Sequence, residues 1–351
     1  MTTQTDFNKV WYTRCNVPTA SGIALDLGWL AERYSRDRAG FGILQDAPLE
    51  IALAHYDHSL ASLIREGGNV PAIVAHADGA PTRLIGLTFI DEGQAIVAHP
   101  DRVNGAVDLR GKRIAVPAFA ATRNASHSRA MALGGFEAGL ASVGLSLGDV
   151  SIVETPRVKT VPPGKLRKEL GIKDWPSLHQ VADGDADASY IKGAAAHEAA
   201  QSLGLKVVVD IDALPIEQRV NNGTPRPLTV HAELLERRPE WVIDFLALTL
   251  AAADWASANR DEVISILSRE TKATSRGVAD LYGASFHRNL APSLSQERLD
   301  LFSIQIDRLA RHGFIDRAFD VGDWIEPGVF EAAQARASSI GAEYELAPAG
   351  K

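Results

Sequence analysis

The sequence predicts an α/β protein built as two lobes. Its 351 residues are too many for one compact core and suited to two. Through the first two thirds, short runs rich in Ile, Val and Leu alternate with segments of helical period, as in parallel sheets covered by helices. Beyond Ala232 the pattern becomes almost wholly helical.

V-W-Y-T (10–13) reads as the first strand, and a helix is predicted over 18–33 with Pro18 in its first turn. A-P-L-E-I-A-L-A-H-Y (47–56) mixes the periods of strand and helix. P-A-I-V-A-H (71–76), R-L-I-G-L-T-F-I (83–90) and Q-A-I-V-A-H (94–99) read as strands. D-L-R-G-K-R-I-A-V-P (108–117) is a polar turn at Gly111 followed by a buried strand. A helix over 126–143 leads to a strand V-S-I-V-E-T (150–155). A Pro-rich loop, V-P-P-G (161–164), and a helix over 174–184 precede D-A-D-A-S-Y (185–190) and a buried strand L-K-V-V-V-D (205–210). R-R-P-E-W-V-I-D-F-L-A-L-T-L-A-A-A-D-W-A (237–256) reads as an amphipathic helix opened by Pro239 and ended at Asn259. Further helices are predicted over 260–270, 276–284 and 295–312. The chain has neither an internal repeat nor a low-complexity tract.

Composition narrows the function classes. Apolar residues make up 46% and charged residues 23%, ordinary for a soluble globular protein. A net charge of −8 argues against nucleic acid as a partner. The single cysteine, Cys15, excludes an internal disulfide framework and a cysteine-based zinc site. The opening M-T-T-Q-T-D-F-N-K-V carries no basic segment before an apolar run, and no later run of apolar residues is long enough to span a bilayer. If Met1 is the natural start, the expectation is a cytoplasmic monomer without a membrane partner.

Three residues stand out chemically. An unpaired cysteine is more often a small buried hydrophobe than a reactive group. Cys15, however, follows a strand end and precedes a predicted helix, where cleft residues lie and where a thiolate is favoured. His55 forms H-x-x-H with His58, but a metal would need a third ligand that nothing in the sequence marks. A histidine near neutral pH can instead exchange a proton with a thiol. Arg65 precedes G-G-N, a loop whose amides can approach a ligand, and its forked guanidinium suits a two-oxygen anion. There is no G-x-G-x-x-G, Walker or G-x-S-x-G pattern, and the basic stretch R-V-K-T…K-L-R-K (157–168) reads as a solvated loop.

D-L-R-G-K-R-I-A-V with its following helix, and R-R-P-E-W-V…A-A-A-D-W-A-S-A-N-R-D-E, resemble substrate-binding proteins of nitrate, sulfonate and taurine uptake. This resemblance covers most of the chain. It implies a two-lobed periplasmic-binding-protein type II-like fold with a central cleft and two crossover segments. Residues 1–100 and 222–351 would form one lobe and 101–221 the other.

W-Y-T-R-C-N-V-P (11–18), H-Y-D-H (55–58) and R-E-G-G-N-V-P (65–71) more narrowly resemble the 2′-hydroxybiphenyl-2-sulfinate desulfinase family. That family has a tyrosine-x-x-cysteine before a proline, then a histidine, then an arginine ten residues on, just before paired glycines. Cys15, His55, Arg65, Gly67 and Gly68 match in identity and spacing, and R-L-I-G-L-T (83–88) and the segment at Asp323 and Trp324 are also similar.

The resemblance implies cleavage of an aryl C–S bond with water, releasing sulfite without metal or cofactor. Cys15, His55 and Arg65 would be catalytic. Arg65, Gly67, Gly68, Thr13, Phe119, Arg123 and Tyr190 would surround a small aryl sulfinate, with Arg65 and the Gly68 amide on its oxygens. Cys15 would either protonate the ring carbon bearing sulfur or attack sulfur as a thiolate. Two segments depart from the family. Tyr190 is followed by I-K-G-A-A-A-H-E (191–198), with no aromatic and an added Lys192, and P-A-F-A-A-T-R-N (117–124) also differs. Both should line the cleft, which separates biphenyl specificity from sulfinate chemistry. The alternative is a binding protein for a small organic anion serving an uptake transporter. A pyrimidine synthase of the thiamine pathway shares the fold, but its cysteine-rich iron motif cannot be built from one cysteine.

Overall fold

The computed structural model describes residues 7–156 and 175–345. The Pro-rich loop 161–164 and the basic stretch 157–168 lie outside the described residues.

Among the described residues, ten strands form two five-stranded sheets. The first contains β1 (Lys9–Arg14), β2 (Gly40–Ile43), β3 (Leu63–Glu66), β4 (Thr82–Thr88) and β10 (Arg226–His231), in the order β2-β1-β3-β10-β4. β1 runs parallel to β2 and β3, and β10 is antiparallel to β3 and β4. The second contains β5 (Ala95–Ala98), β6 (Arg113–Pro117), β7 (Ser151–Thr155), β8 (Ala188–Ile191) and β9 (Lys206–Asp210), in the order β7-β6-β8-β5-β9. β5 pairs only within the second sheet, so the chain first crosses between Thr88 and Ala95, ahead of the limit at residue 100 that the sequence suggested. It returns between Asp210 and Arg226.

The first core packs Val10, Tyr12, Ile64, Ile85 and Leu228 against the helix Pro239–Ala258. Trp241, Phe245, Leu246, Ala247 and Ala251 place buried residues on nearly every side of that helix. It is therefore a core helix rather than the one-faced amphipathic helix expected. By length and composition it could cross a membrane, but its apolar surface is largely taken up inside the fold. The helix Pro327–Glu345 covers it. A second core joins Ile96, Ile114 and Phe136 to Val70, Ile73, Leu84, Phe302 and Trp324, so it continues from one sheet to the other.

Several elements differ from expectation. Residues 71–76 lie in a helix, Asn69–Ala77, not a strand. Every residue from Asn69 to Ala75 is buried, and an all-apolar run looks alike in either state, while Pro71 is tolerated in a first turn. The helix over 18–33 divides into Ala20–Asp26 and Trp29–Arg36 at Gly28, whose φ of 82° is left-handed. Residues 47–56 hold two short helices, Leu49–Ala52 and Ala54–Asp57. Strands β2, β3 and β10 and the helix Pro327–Glu345 carried no clear sequence signal.

Candidate active site

Parallel pairing of β1 with β3 sets the site. The register places Thr13 beside Arg65 and Arg14 beside Glu66. Cys15, one residue past β1, therefore stands next to Gly67 and Gly68, just past β3, at the carboxyl ends of the strands. The partly exposed Cys15 thiol accepts from the Gly68 amide at 3.4 Å. Gly68 is the N-cap of the helix Asn69–Ala77. The helix end that reaches the thiol thus follows β3. The helix after β1 begins only at Ala20, with Thr19 as its own cap.

His55 approaches from the short helix Ala54–Asp57. Its Nε2 lies 4.0 Å from the Cys15 sulfur and its Nδ1 2.9 Å from Thr13 Oγ1. Thr13 is fully buried and orients the imidazole instead of facing a ligand. His58, in a left-handed conformation, is buried beside it. The His55 nitrogens are turned to Thr13 and Cys15, not to His58.

Arg65 is wholly buried on β3 without an acidic partner in its hydrogen bonds. Nε donates to the His55 carbonyl at 2.8 Å and Nη2 to the Gly68 carbonyl at 3.0 Å. Nη1 has no hydrogen-bond partner among the described residues. The guanidinium fixes the backbone on either side of the thiol and keeps one donor arm in reserve. The paired glycines make this possible: a Cβ on Gly67 would stand 2.7 Å from Arg65 Cζ, and one on Gly68 2.3 Å from Asn222 Nδ2. The Gly67 amide donates to the Pro227 carbonyl at 3.3 Å and so ties the loop to β10.

Three charged residues complete the site. Arg226, fully buried at the start of β10, pairs with Glu92 in the first crossing. Lys192, just past β8, pairs with the other oxygen of the same carboxylate. One carboxylate thus serves two cations and ties the lobes together beside the thiol. Lys192 stood out in the sequence only as a departure from the family. Arg226 and Glu92 were missed; their one signal is a charged residue beside a glycine turn, in N-N-G-T-P-R-P (221–227) and I-D-E-G-Q (90–94).

The electrostatics follow from this placement. Burial pushes the Cys15 thiol up, but Arg226, Arg65, the Gly68 N–H and Lys192 together hold it below its ordinary value. Burial, then Arg65 and Arg226, holds His55 well below the usual histidine range, so the ring is neutral at pH 7. Burial lowers Lys192 to about 8, against the pull of Cys15 and Asp212. Burial raises Glu66, whose carboxylate is held by the Ser21 and Thr88 hydroxyls.

A cavity of about 210 Å³ opens on the second-lobe side. Ala115, Pro117 and Ala118 from β6 and its loop, Met131, Tyr190 and Lys192 line it, with Tyr56 from the first lobe. It adjoins the thiol site through three contacts. The Tyr56 ring is 5.0 Å from the His55 ring, Lys192 belongs to both regions, and Met131 Sδ accepts at 3.4 Å from Asn222, the side chain packed against Gly68. Tyr190 faces the cavity while its hydroxyl donates to Gln94 at 2.9 Å. Phe119 and Arg123 do not line it. Phe119 is 38% exposed, against Phe314 and beneath the Arg129 guanidinium. Arg123 points outward because two carboxylates, Asp78 and Asp316, each hold it at 2.6 Å. Trp324 is buried at the lobe base, donating to Thr82 at 3.1 Å.

No family model matches the chain. It is 26% identical over 344 residues to 2′-hydroxybiphenyl-2-sulfinate desulfinases of Rhodococcus erythropolis and Rhodococcus qingshengii, covering 90% of this chain and 91% of each relative. Its structure is similar to the desulfurization enzyme DszB, with a TM-score of 0.73 and 20% identity over 93% of this chain and 99% of that one. A DszB mutant in complex with biphenyl-2-sulfinic acid matches with the same TM-score at 21% identity, again over 93% of this chain and 99% of that one. The periplasmic aliphatic sulphonate binding protein SsuA of Escherichia coli matches with a TM-score of 0.63 and 15% identity, over 91% of this chain and 92% of that one. The resemblance read from the motifs is thus to proteins similar along nearly the whole chain, and the fold is the two-lobed α/β fold of periplasmic binding proteins.

Proposed function

We propose that this protein is a cysteine-dependent aryl-sulfinate desulfinase. The observation that carries the reading is the convergence on the Cys15 sulfur of the Gly68 amide, the His55 ring and a buried Arg65 with a free donor arm. Similarity to desulfinases over 90% of the chain supports it. The net reaction is aryl sulfinate plus water giving arene and hydrogen sulfite, with no other reactant.

The charges suggest an order of events. In the empty site the surrounding cations favour the thiolate. A sulfinate on the free arm of Arg65 adds negative charge beside sulfur and opposes that bias, so the protonated thiol is favoured as substrate enters. Cys15 then delivers this proton to the ring carbon bearing sulfur. The C–S electron pair forms the new C–H bond, and sulfur dioxide departs. Water adds to sulfur dioxide to give hydrogen sulfite, and the proton released restores the thiol. Arg65 holds the sulfur oxygens throughout. His55, neutral and anchored by Thr13, is the base and acid through which the thiol exchanges protons.

The test is sulfite release from biphenyl-2-sulfinate and smaller aryl sulfinates. Release is expected from at least one of them, and C15S should abolish it. A binding protein of the sulphonate type, the reading favoured by the fold match to SsuA, would release none and would bind its anion equally well as C15S. Mass spectrometry of quenched enzyme separates the routes: sulfur dioxide retained covalently on Cys15 would overturn the proton-donor step.

A further inference from the structure

The cavity beside the thiol contains a feature that an uncharged aryl ring would not use. Lys192 lines it, and the lysine side chain keeps 22% of its surface open. Among the described residues its one hydrogen-bonded counter-ion, Glu92, is shared with Arg226, so two cations divide one carboxylate. Arg226 is fully buried, and its Nε and Nη1 have no hydrogen-bond partner among the described residues. The trio therefore carries excess positive charge, and Lys192 is the member that presents it to the cavity. On the desulfinase reading Arg65, from the other lobe, already supplies the donor for the sulfinate through Nη1, which has no partner among the described residues.

Size narrows the ligand further. A cavity of about 150 Å³ accepts a benzene ring. This one, at about 210 Å³, has room for one substituted ring. Ala115, Ala118 and Ala132 are small residues of its wall and Tyr56 and Tyr190 flat faces, while Arg129, another cation on the wall, is paired with Glu154 at 2.7 Å.

Building on the desulfinase reading, we propose that Lys192 is the specificity-determining residue and that the substrate is a monocyclic aryl sulfinate bearing a second anion, a carboxylate, which Lys192 pairs. Arg65 holds the sulfinate at the thiol, the ring fills the cavity, and the carboxylate sits on the ammonium.

The experiment compares kcat/KM for 2- and 3-sulfinobenzoate, benzenesulfinate and biphenyl-2-sulfinate in wild type, K192M and K192R. Wild type should favour one sulfinobenzoate over benzenesulfinate by about 10- to 100-fold, the range for one hydrogen bond to a charged group. K192M should bring that ratio close to one, and K192R should restore part of it. A wild-type ratio of one or less overturns the proposal. So does a K192M protein that loses activity equally on both substrates, because Lys192 would then act only through Glu92. If no sulfinate yields sulfite, the desulfinase reading has failed, and calorimetric binding of 2- and 3-sulfobenzoate against benzenesulfonate decides the subsite separately. The same preference, lost in K192M, sustains it; equal affinities overturn it.

Discussion

Gly68→Ala tests how the thiol is held. The backbone at this position (φ −51°, ψ 144°) suits alanine, so the conformation itself costs nothing. The new methyl would lie 2.3 Å from Asn222 Nδ2 and 2.6 Å from its Oδ1. Either Asn222 withdraws or the loop does. If Asn222 withdraws, the buried Val70 amide loses its acceptor at 2.9 Å, at a cost of about 1–3 kcal/mol. Residual crowding adds about 1–3 kcal/mol. If the loop withdraws, the Gly68 amide leaves the Cys15 sulfur, now 3.4 Å away. A donor to a charged acceptor contributes about 1.5 kcal/mol at the weak end, so the thiol pKa should rise by about one unit. Alkylation of Cys15 by iodoacetamide across a pH series measures the second effect, and a urea midpoint the first. Stability lost with unchanged alkylation would mean that Asn222 yields. Stability within about 0.5 kcal/mol of wild type together with an unmoved alkylation midpoint would refute the packing argument.

Other expectations are equally direct. Arg226→Met removes the largest group lowering the Cys15 pKa, so its alkylation midpoint should move to higher pH, while Lys192 remains to pair Glu92; an unmoved midpoint would contradict the assigned field. His55 should titrate by NMR well below its ordinary 6.5. Its folded pKa is depressed, so its contribution to stability is present above the unfolded value and is lost as pH falls below it; His55→Gln should be less sensitive to acid between pH 6.5 and 4. Asp212 shows the opposite sign: burial, then Asp91, raises it from 3.8 to about 7. Its contribution is complete below pH 4 and declines as pH rises toward 7, so Asp212→Asn should gain stability relative to wild type between pH 5 and 8. Urea midpoints at the two pH values check this, and a constant difference would show that Asp212 does not titrate in this range.

The residues that gather at the candidate site were more legible than the framework that gathers them. Cys15, His55, Arg65 and Gly68 are named by a local motif, and strand pairing brings them together because they lie at or just past neighbouring strand ends. The strand that carries Arg65 was not legible, because Leu63–Glu66 is buried on both faces and too short to show a period. The helix Asn69–Ala77 was misread for the same reason. Arg226 and Glu92 belong to the site only through the fold: they are 134 positions apart and meet where the two crossings pass. Arg123 and Phe119 show the reverse error. A sequence places them in the loop after β6, but the carboxylates Asp78 and Asp316 decide which way that loop faces.

The core that runs from sheet to sheet has a mechanical consequence. Val70, Ile73 and Leu84 share one apolar mass with Ile96, Phe136 and Phe302. Swinging the lobes apart like the covers of a book would wet part of that mass, at about 2.5 kcal/mol for each 100 Å². The spine of the book is stiff, and wide excursions are correspondingly rare. At the rim, Tyr56 is stacked on His127 across the gap, with ring centroids 5.6 Å apart. Amides of the helix Asn69–Ala77 should then exchange with solvent as slowly as the most protected in the protein, and fast exchange there would mean that the spine bends after all.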